Sequence, residues 1–221
     1  MFEITVSSTF KEKCPDFRGV ALYGSVNNTM YCETLWKEIS DFTKELLSTS
    51  KIEDIKQQPA IAATREGYKK CGKDPARYRV SSEALRRRLL RGLELYQIDT
   101  LVDLVNLVSL RTGYSIGGFD ADKIQGDRIE LGIGRCEEPY EGIGRGMLNI
   151  ENLPVYRDAI GGIGTPTSDN ERTKMDISTK HILTIINGYD GCKYLPKAVE
   201  MMQRMIEEYA DGNDFETIYF E

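Results

Sequence analysis

Carboxylates and hydroxyls are the groups in this sequence whose types and spacing point most directly to chemistry. The run from 165 to 173 reads TPTSDNERT and contains both kinds of group. Further carboxylates stand at Asp120, which ends the run GGFD, and at Asp158 in PVYRDAIGG. Such side chains can hold a water molecule or a polar substrate in place. The run from 165 to 173 is therefore either an ordinary capped loop or part of the wall of a pocket.

The single histidine, His181, argues against two common kinds of catalytic site. A zinc site needs several imidazole or thiolate ligands. A Ser–His–Asp triad would depend on this one histidine, whose neighbours Ile182 and Leu183 are apolar. We therefore expect His181 to be structural, and we expect neither a metal nor another cofactor.

Glycines are concentrated in one part of the chain, with twelve of the twenty between positions 113 and 164. The segments Gly132–Gly134 and Gly142–Gly146 lack the third glycine of a GxGxxG loop, and no GxxxxGK[ST] motif is present. Two uses stay open: tight turns between strands, or backbone amides around a pocket, because glycine lets a ligand approach the main chain closely. The candidates for the second use are Gly117, Gly118, Gly161, Gly162 and Gly164.

A basic segment contrasts with the acidic chain around it. Between positions 69 and 91 there are nine basic residues and two acids, so the segment carries about +7 while the whole chain carries −6. A local basic face of this kind suits phosphate groups. The candidate phosphate-contacting residues are Arg77, Arg79, Arg86, Arg87 and Arg91. The alternative is that these arginines pair with acids elsewhere in the fold.

The elements that must position these groups begin with a helix that is apolar nearly all round. Seven of the ten residues from 101 to 110 are apolar, which predicts a buried helix. Asp99 suits its N-cap and Gly113 its end. The polar interruptions at Asp103, Asn106 and Ser109 must find hydrogen-bond partners if they are buried. They either tie down neighbouring loops or shape the loop 112–120 for a ligand.

The remaining pattern predicts an α+β protein with a single domain over 1–221. A helix-rich part covers 1–112, a strand-rich part 113–192, and a C-terminal helix 194–211. Amphipathic spacing predicts helices from Glu33 to Leu47 and from Pro59 to Gly72, while alternation predicts strands near Phe2–Val6 and from His181.

Composition limits the class of protein. Charged residues make up 29% and aromatic residues 9%, as in soluble globular proteins. No apolar run approaches the roughly 18 residues that span a bilayer, and the first ten residues lack the pattern of a secretory signal. Five cysteines without CxxC spacing favour reduced thiols. We therefore expect a cytoplasmic protein without membrane contact; the oligomeric state stays open.

Several segments, taken in order, resemble a known family. They are REGYKKCGKDPARYRVSSEALRRRLLRG, LVDLVNLVSL, GGFD and TPTSDNERT. The order and spacing resemble free-standing B3/B4-domain proteins and the B3/B4 module of the bacterial phenylalanyl-tRNA synthetase beta chain. That module hydrolyses tyrosine wrongly attached to the phenylalanine tRNA. The resemblance runs roughly from Phe10 to Asp190, and it implies β-sandwich-like sheets flanked by helices.

The resemblance also implies roles for particular residues. Asp120 and Glu171 would be the catalytic groups that hold a water molecule, and Glu171 could also accept a hydrogen bond from a hydroxyl of the bound amino acid. Substrate-binding residues would be Asn106, Gly117, Gly118, Asp158, Gly162, Thr165, Thr167, Ser168 and Arg172. One departure matters, because the module has a histidine where GGFD has Gly117, so that histidine's role cannot be carried over.

The function that follows is the hydrolysis of mischarged aminoacyl-tRNA in trans, with the aminoacylated acceptor end as partner and no role for DNA. The first alternative is a non-catalytic binder of tRNA or of an amino acid that uses the same pocket. A second is a small-molecule enzyme whose arginines pair internally.

Overall fold

The computed structural model describes residues 2–191 and 193–221. Its helices and strands follow one another in this order: β1 (Glu3–Val6), α1 (Ser8–Lys13), β2 (Arg18–Ser25), α2 (Glu33–Thr49), α3 (Pro59–Cys71), α4 (Ser81–Leu90), α5 (Thr100–Thr112), β3 (Ile116–Asp120), β4 (Arg128–Ile133), β5 (Glu141–Gly142), β6 (Gly146–Met147), β7 (Pro154–Arg157), β8 (Gly162–Gly164), β9 (His181–Gly188), α6 (Leu195–Ala210) and β10 (Asn213–Phe220). Short 3₁₀ turns cover Ile52–Gln57, Ala121–Lys123 and Glu171–Thr173.

Two four-stranded sheets form the centre of the fold. The first has the order β1-β4-β7-β8 and the second the order β10-β2-β9-β3, while β5 and β6 form a separate hairpin. In β2, Val20 and Leu22 belong to the core shared with the helices, whereas Ala21 packs in the core that also contains residues of the first sheet. The second sheet is thus covered by helices on one face and by the first sheet on the other.

Helix α5 is buried against this second sheet, as its apolar sequence predicts. The Asp99 carboxylate accepts a hydrogen bond from the Val102 amide at the start of the helix, and Gly113 ends it in the left-handed conformation at φ 79°. Asp103 accepts hydrogen bonds from the Trp36 indole at 2.7 Å and from the Ile98 amide at 3.2 Å. Polar side chains on α5 therefore hold neighbouring loops in place.

The expected α+β class, with sandwiched sheets flanked by helices, is confirmed. The two parts of the chain are interleaved, because β1 pairs with β4 and β2 pairs with β9. The single-domain assignment remains a prediction. Two details differ from expectation. Helix α1, in which only Phe10 is buried, was not predicted, and α6 is one residue shorter at each end than the expected 194–211, with Asp211 as its left-handed cap.

The structure also describes the cysteines and the lengths of the helices. Cys14, Cys32, Cys71 and Cys136 are free thiols, and Cys192 lies outside the described residues. In the part of the chain described, no helix has both the length and the apolar character needed to cross a bilayer.

Candidate functional site

A cavity of about 490 Å³ lies at the edge of the second sheet, between α5 and the edge strand β3. Helix α5 contributes residues on one face, the strand β3 contributes Ile116 and Gly118, and the segment 174–177 closes the opposite side. Ligand pockets in proteins have volumes of about 300–1,000 Å³. The cavity therefore has the size of a site for a small molecule or for the end of a larger one.

Apolar side chains dominate the wall of this cavity, and a few polar ones stand among them. The apolar residues are Met30, Ile98, Val102, Val105, Ile116, Ile143, Met175 and Ile177. The polar residues are Ser81, Asp99, Asn106, Ser109, Asp169, Lys174 and Asp176.

Asp169 is presented to the cavity by a turn with many internal hydrogen bonds. The Thr165 hydroxyl accepts from the Ser168 amide at 3.0 Å and donates to the Ser168 carbonyl at 2.9 Å. The Tyr140 hydroxyl donates to the same carbonyl at 2.7 Å. These contacts fix the turn, so that the Asp169 carboxylate reaches β3 and accepts from the Gly118 amide at 3.1 Å.

The environment of Asp169 favours its protonated form. Burial raises the pKa of Asp169 to about 7, and the hydrogen bond from the Gly118 amide offsets this only in part. Asp169 also borders the cavity. A carboxyl group with a pKa near neutrality can accept and return a proton at physiological pH, which is the requirement for general acid–base catalysis.

Asn106 is the second polar group with free hydrogen-bonding capacity in the cavity. Of the polar residues that interrupt α5, Asp103 binds Trp36 and Ile98, and Ser109 donates to the Tyr114 carbonyl at 2.6 Å. The Asn106 side chain forms no hydrogen bond with any residue that the structure describes, and it borders the cavity. Its amide is therefore available to a ligand.

Next to the cavity lies a groove of about 240 Å³, lined by Ala84, Leu93 and six arginines, which we call the arginine groove. The arginines are Arg77, Arg79, Arg87, Arg88, Arg91 and Arg145. Arg87 pairs with the buried Glu83 at 2.8 Å. For Arg77, Arg79, Arg91 and Arg145, no carboxylate in 2–191 or 193–221 lies within ion-pairing distance, so their charges are available to an anion.

Two elements are shared between the cavity and the arginine groove. On α4, Ser81 borders the cavity and Ala84, about one helical turn or ~5 Å further on, borders the groove. In the β5–β6 hairpin, Ile143 borders the cavity and Arg145 borders the groove. The cavity and the arginine groove therefore share α4 and the β5–β6 hairpin.

The two predicted catalytic carboxylates lie outside the cavity wall. Asp120 accepts a hydrogen bond from the Thr179 hydroxyl at 2.9 Å and pairs with Lys123 at 3.2 Å, so it fixes the loop after β3. Glu171 pairs with Lys174, and only the lysine borders the cavity. The structure instead brings Asp169 to the cavity, a residue inside the predicted polar run that was not singled out.

Five of the predicted substrate-binding residues line the cavity or lie in the segment that carries Asp169. Asn106 and Gly118 line the cavity. Thr165 and Ser168 form the turn that carries Asp169, and Thr167 bonds the Tyr68 hydroxyl at 2.8 Å. These three residues do not line the cavity; they stabilise the segment that carries Asp169.

Gly117 and Gly162 have packing roles. A Cβ at position 117 would lie 2.7 Å from the Phe119 ring and 3.4 Å from the Asp169 carboxylate, and one at position 162 would lie 2.8 Å from the Tyr140 ring. Glycine is therefore needed at both positions for close packing. A histidine at position 117 would collide with the ring of Phe119.

Asp158 and Arg172 form a two-pronged ion pair away from the cavity, with both N–O distances at 2.9 Å. Burial alone would raise the pKa of Asp158, but the hydrogen bonds from Arg172 and from the Gln125 and Ile160 amides hold it below its usual value. The pair ties the loop after β7 to the Glu171–Thr173 turn.

Arg86 does not contribute to the arginine groove. Only 5% of it is exposed, and its guanidinium donates a hydrogen bond to the Leu110 carbonyl at the end of α5. A role in contacting RNA is incompatible with this position. Arg77, Arg79, Arg87 and Arg91 do line the groove, as do Arg88 and Arg145, which were not among the predicted contacts.

His181 lies outside the cavity. Its Nδ1 is 2.9 Å from both oxygens of the Asp122 carboxylate, and its ring stacks on Tyr23. Among the described residues there is no cluster of three or more metal-ligating side chains.

Comparison with known proteins places the chain in a family. The family model of the B3/4 domain matches residues 63–211, and the chain therefore belongs to the B3/4 domain family. The matched range contains most of the cavity wall and the entire arginine groove. None of the curated proteins shows significant sequence similarity to the chain.

A solved structure shares the fold. It is the crystal structure of an N-terminal fragment of the phenylalanyl-tRNA synthetase beta-subunit from Pyrococcus horikoshii, with a TM-score of 0.53 and 13% sequence identity. The similarity covers 100% of this chain and 52% of that fragment, so the chain spans about half the fragment's length. At this identity the similarity shows a common fold.

Proposed function

We propose that this protein binds aminoacylated tRNA and hydrolyses its aminoacyl ester in trans. The observation that carries the proposal is that the cavity and the arginine groove are both bordered by α4 and the β5–β6 hairpin. A charged tRNA end needs both: cations for its phosphates and an adjoining cavity for the aminoacyl group. The common fold with a fragment of a synthetase beta-subunit supports the same choice.

Asp169 is the proposed general base. In its carboxylate form it takes a proton from a water molecule, whose oxygen then attacks the ester carbonyl carbon. When the ester C–O bond breaks, the protonated Asp169 returns the proton to the departing ribose oxygen, which leaves as a hydroxyl. With a pKa of about 7, both forms of the group are populated near neutral pH.

Asn106 is the proposed group that orients the ester. Its side-chain amide borders the same cavity as Asp169 and forms no hydrogen bond with a described residue. An amide N–H directed at the carbonyl oxygen would stabilise the negative charge that develops there, an effect worth about 10²- to 10³-fold in rate for one donor.

The second candidate is a binder of tRNA or of an amino acid that lacks catalysis. It is favoured by the position of Asp120 and Glu171 outside the cavity wall and by Gly117 in place of the module's histidine. The cavity and the groove would then only hold the charged end.

Deacylation of a panel of correctly and wrongly charged tRNAs tests the proposal. Selective hydrolysis of one pairing supports it, and Asp169→Asn should then slow that hydrolysis by about 10²-fold or more. Asp41→Asn is the matched control, because Asp41 is an exposed carboxylate on α2 that pairs with Lys37 and Lys44. No hydrolysis with tRNA still bound supports the binder. Neither hydrolysis nor binding refutes both.

A further inference from the structure

The floor of the cavity is built from apolar atoms in direct contact with the backbone of β3. Val105, Ile116 and Met175 are all buried and line the cavity. A Cβ at position 118 would lie 2.7 Å from the Met175 methyl carbon and 3.6 Å from a Val105 methyl carbon. The absence of a side chain at Gly118 thus lets the methionine methyl group reach the strand and close the floor.

The rim of the cavity has the same character. Met30 is 63% exposed, Ile98 51% and Ile177 48%, and all three border the cavity. Exposed apolar side chains gathered around a concave site are typical of a surface that an apolar ligand covers. The rim therefore extends the apolar surface outwards from the floor.

Three polar groups next to the floor are engaged within the protein. The Ser109 hydroxyl donates to the Tyr114 carbonyl at 2.6 Å, the Asp99 carboxylate caps α5 at 2.9 Å from the Val102 amide, and one Asp169 oxygen accepts from the Gly118 amide. Glu171, which the sequence suggested as an acceptor for a substrate hydroxyl, is paired with Lys174 outside the cavity wall. A hydroxyl brought to the floor would lose its water and find these groups already engaged.

We infer that the cavity selects an amino acid whose side chain is apolar and lacks a hydroxyl. This inference rests on the proposed function only in taking the aminoacyl end as the occupant of the cavity. The side chain lies on the floor of Val105, Ile116 and Met175, and the polar atoms of the aminoacyl group face Asn106 and the carboxyl group of Asp169. Because leaving a buried polar group unpaired is costly, each apolar amino acid should bind about tenfold or more tightly than its hydroxylated counterpart.

The test uses stable analogues in which an amide replaces the ester, namely 3′-aminoacylamino-3′-deoxyadenosines. Two pairs differ by little more than a hydroxyl: phenylalanine against tyrosine, and valine against threonine. Dissociation constants are measured by titration calorimetry with the full chain. We expect the apolar member of each pair to bind at least tenfold more tightly than its hydroxylated partner.

A conservative variant of the floor adds a second readout. Val105→Thr keeps the shape of the side chain and replaces a methyl group by a hydroxyl. It should therefore reduce the ratio of the two dissociation constants in the better-bound pair at least threefold. A thermal melt shows whether the variant is folded. If it is not folded, the ratios of dissociation constants measured with the wild type decide whether the inference holds.

The outcomes separate this inference from the proposed hydrolysis. Equal or tighter binding of tyrosine and threonine analogues, or no binding of any analogue, overturns the inference even if charged tRNA is hydrolysed. Preferential binding of the apolar analogues upholds it even if no charged tRNA is hydrolysed, in which case the hydrolase proposal alone fails.

Discussion

Replacing Asp169 by asparagine should change the free energy of unfolding, relative to the wild type, more favourably at alkaline pH than at acidic pH. Asparagine keeps an oxygen that can accept from the Gly118 amide, but it removes the titrating group. The pKa of Asp169 is raised to about 7 in the folded protein by burial. The folded protein therefore holds this proton more tightly than the unfolded chain does, and stability is lost as the pH rises from about 4 through 7.

The magnitude follows from the width of this window. Between pH 5 and pH 7, two pH units correspond to at most about 3 kcal/mol in unfolding free energy. Water in the cavity reduces the penalty of the charged form, so we expect about 1–2 kcal/mol. The unfolding free energy of the variant minus that of the wild type should thus be about 1–2 kcal/mol larger at pH 8 than at pH 5.

Urea unfolding at the two pH values measures this difference directly, because groups that titrate equally in both proteins cancel. The control Asp41→Asn removes an exposed carboxylate and should show no such gain at pH 8. If the difference in unfolding free energy between Asp169→Asn and the wild type is the same at pH 5 and pH 8, then the fold does not raise the pKa of Asp169. The basis for its role as a general base would then be lost.

Three further predictions address the groove, the chemistry and the packing. Arg91→Glu should reduce the slope of log binding constant against log salt concentration for tRNA by about one unit or more, because it removes a phosphate contact. The control Arg128→Glu, on the first sheet and paired with Glu3, should leave this slope unchanged. Equal slopes for the two variants would exclude the groove from tRNA binding. If the protein deacylates tRNA, the rate should rise with pH through an apparent pKa near 7, and this step should disappear in Asp169→Asn; a profile unaltered by that change would exclude Asp169 as the base. Gly117→His should lower the unfolding free energy by about 1–3 kcal/mol, because its Cβ would lie 2.7 Å from the Phe119 ring; a variant as stable as the wild type in urea would contradict the packing.

Local patterns in the sequence determined the secondary structure and the class of fold. The apolar run from 101 to 110 could only be a buried helix, and its ends at Asp99 and Gly113 followed from capping chemistry. Such features depend on residues within one or two turns of each other, so they can be predicted without the fold. The polar run from 165 to 173 could be recognised as a candidate pocket wall in the same way, but the mostly apolar wall of the cavity could not.

Which carboxylate borders the cavity was decided by tertiary structure alone. Asp120 and Asp169 are both polar residues beside glycine-containing strands, but Thr179 and Lys123 hold the first away from the cavity, while the Thr165–Ser168 turn directs the second towards β3. Arg86 differs from its neighbour Arg87 for the same kind of reason, since the carbonyl of Leu110 accepts its guanidinium. The contacts that distinguish these side chains join residues far apart in the chain: Arg86 with Leu110 (24 positions), Asp169 with Gly118 (51) and Asp120 with Thr179 (59). No local spacing in the sequence encodes such distant partners.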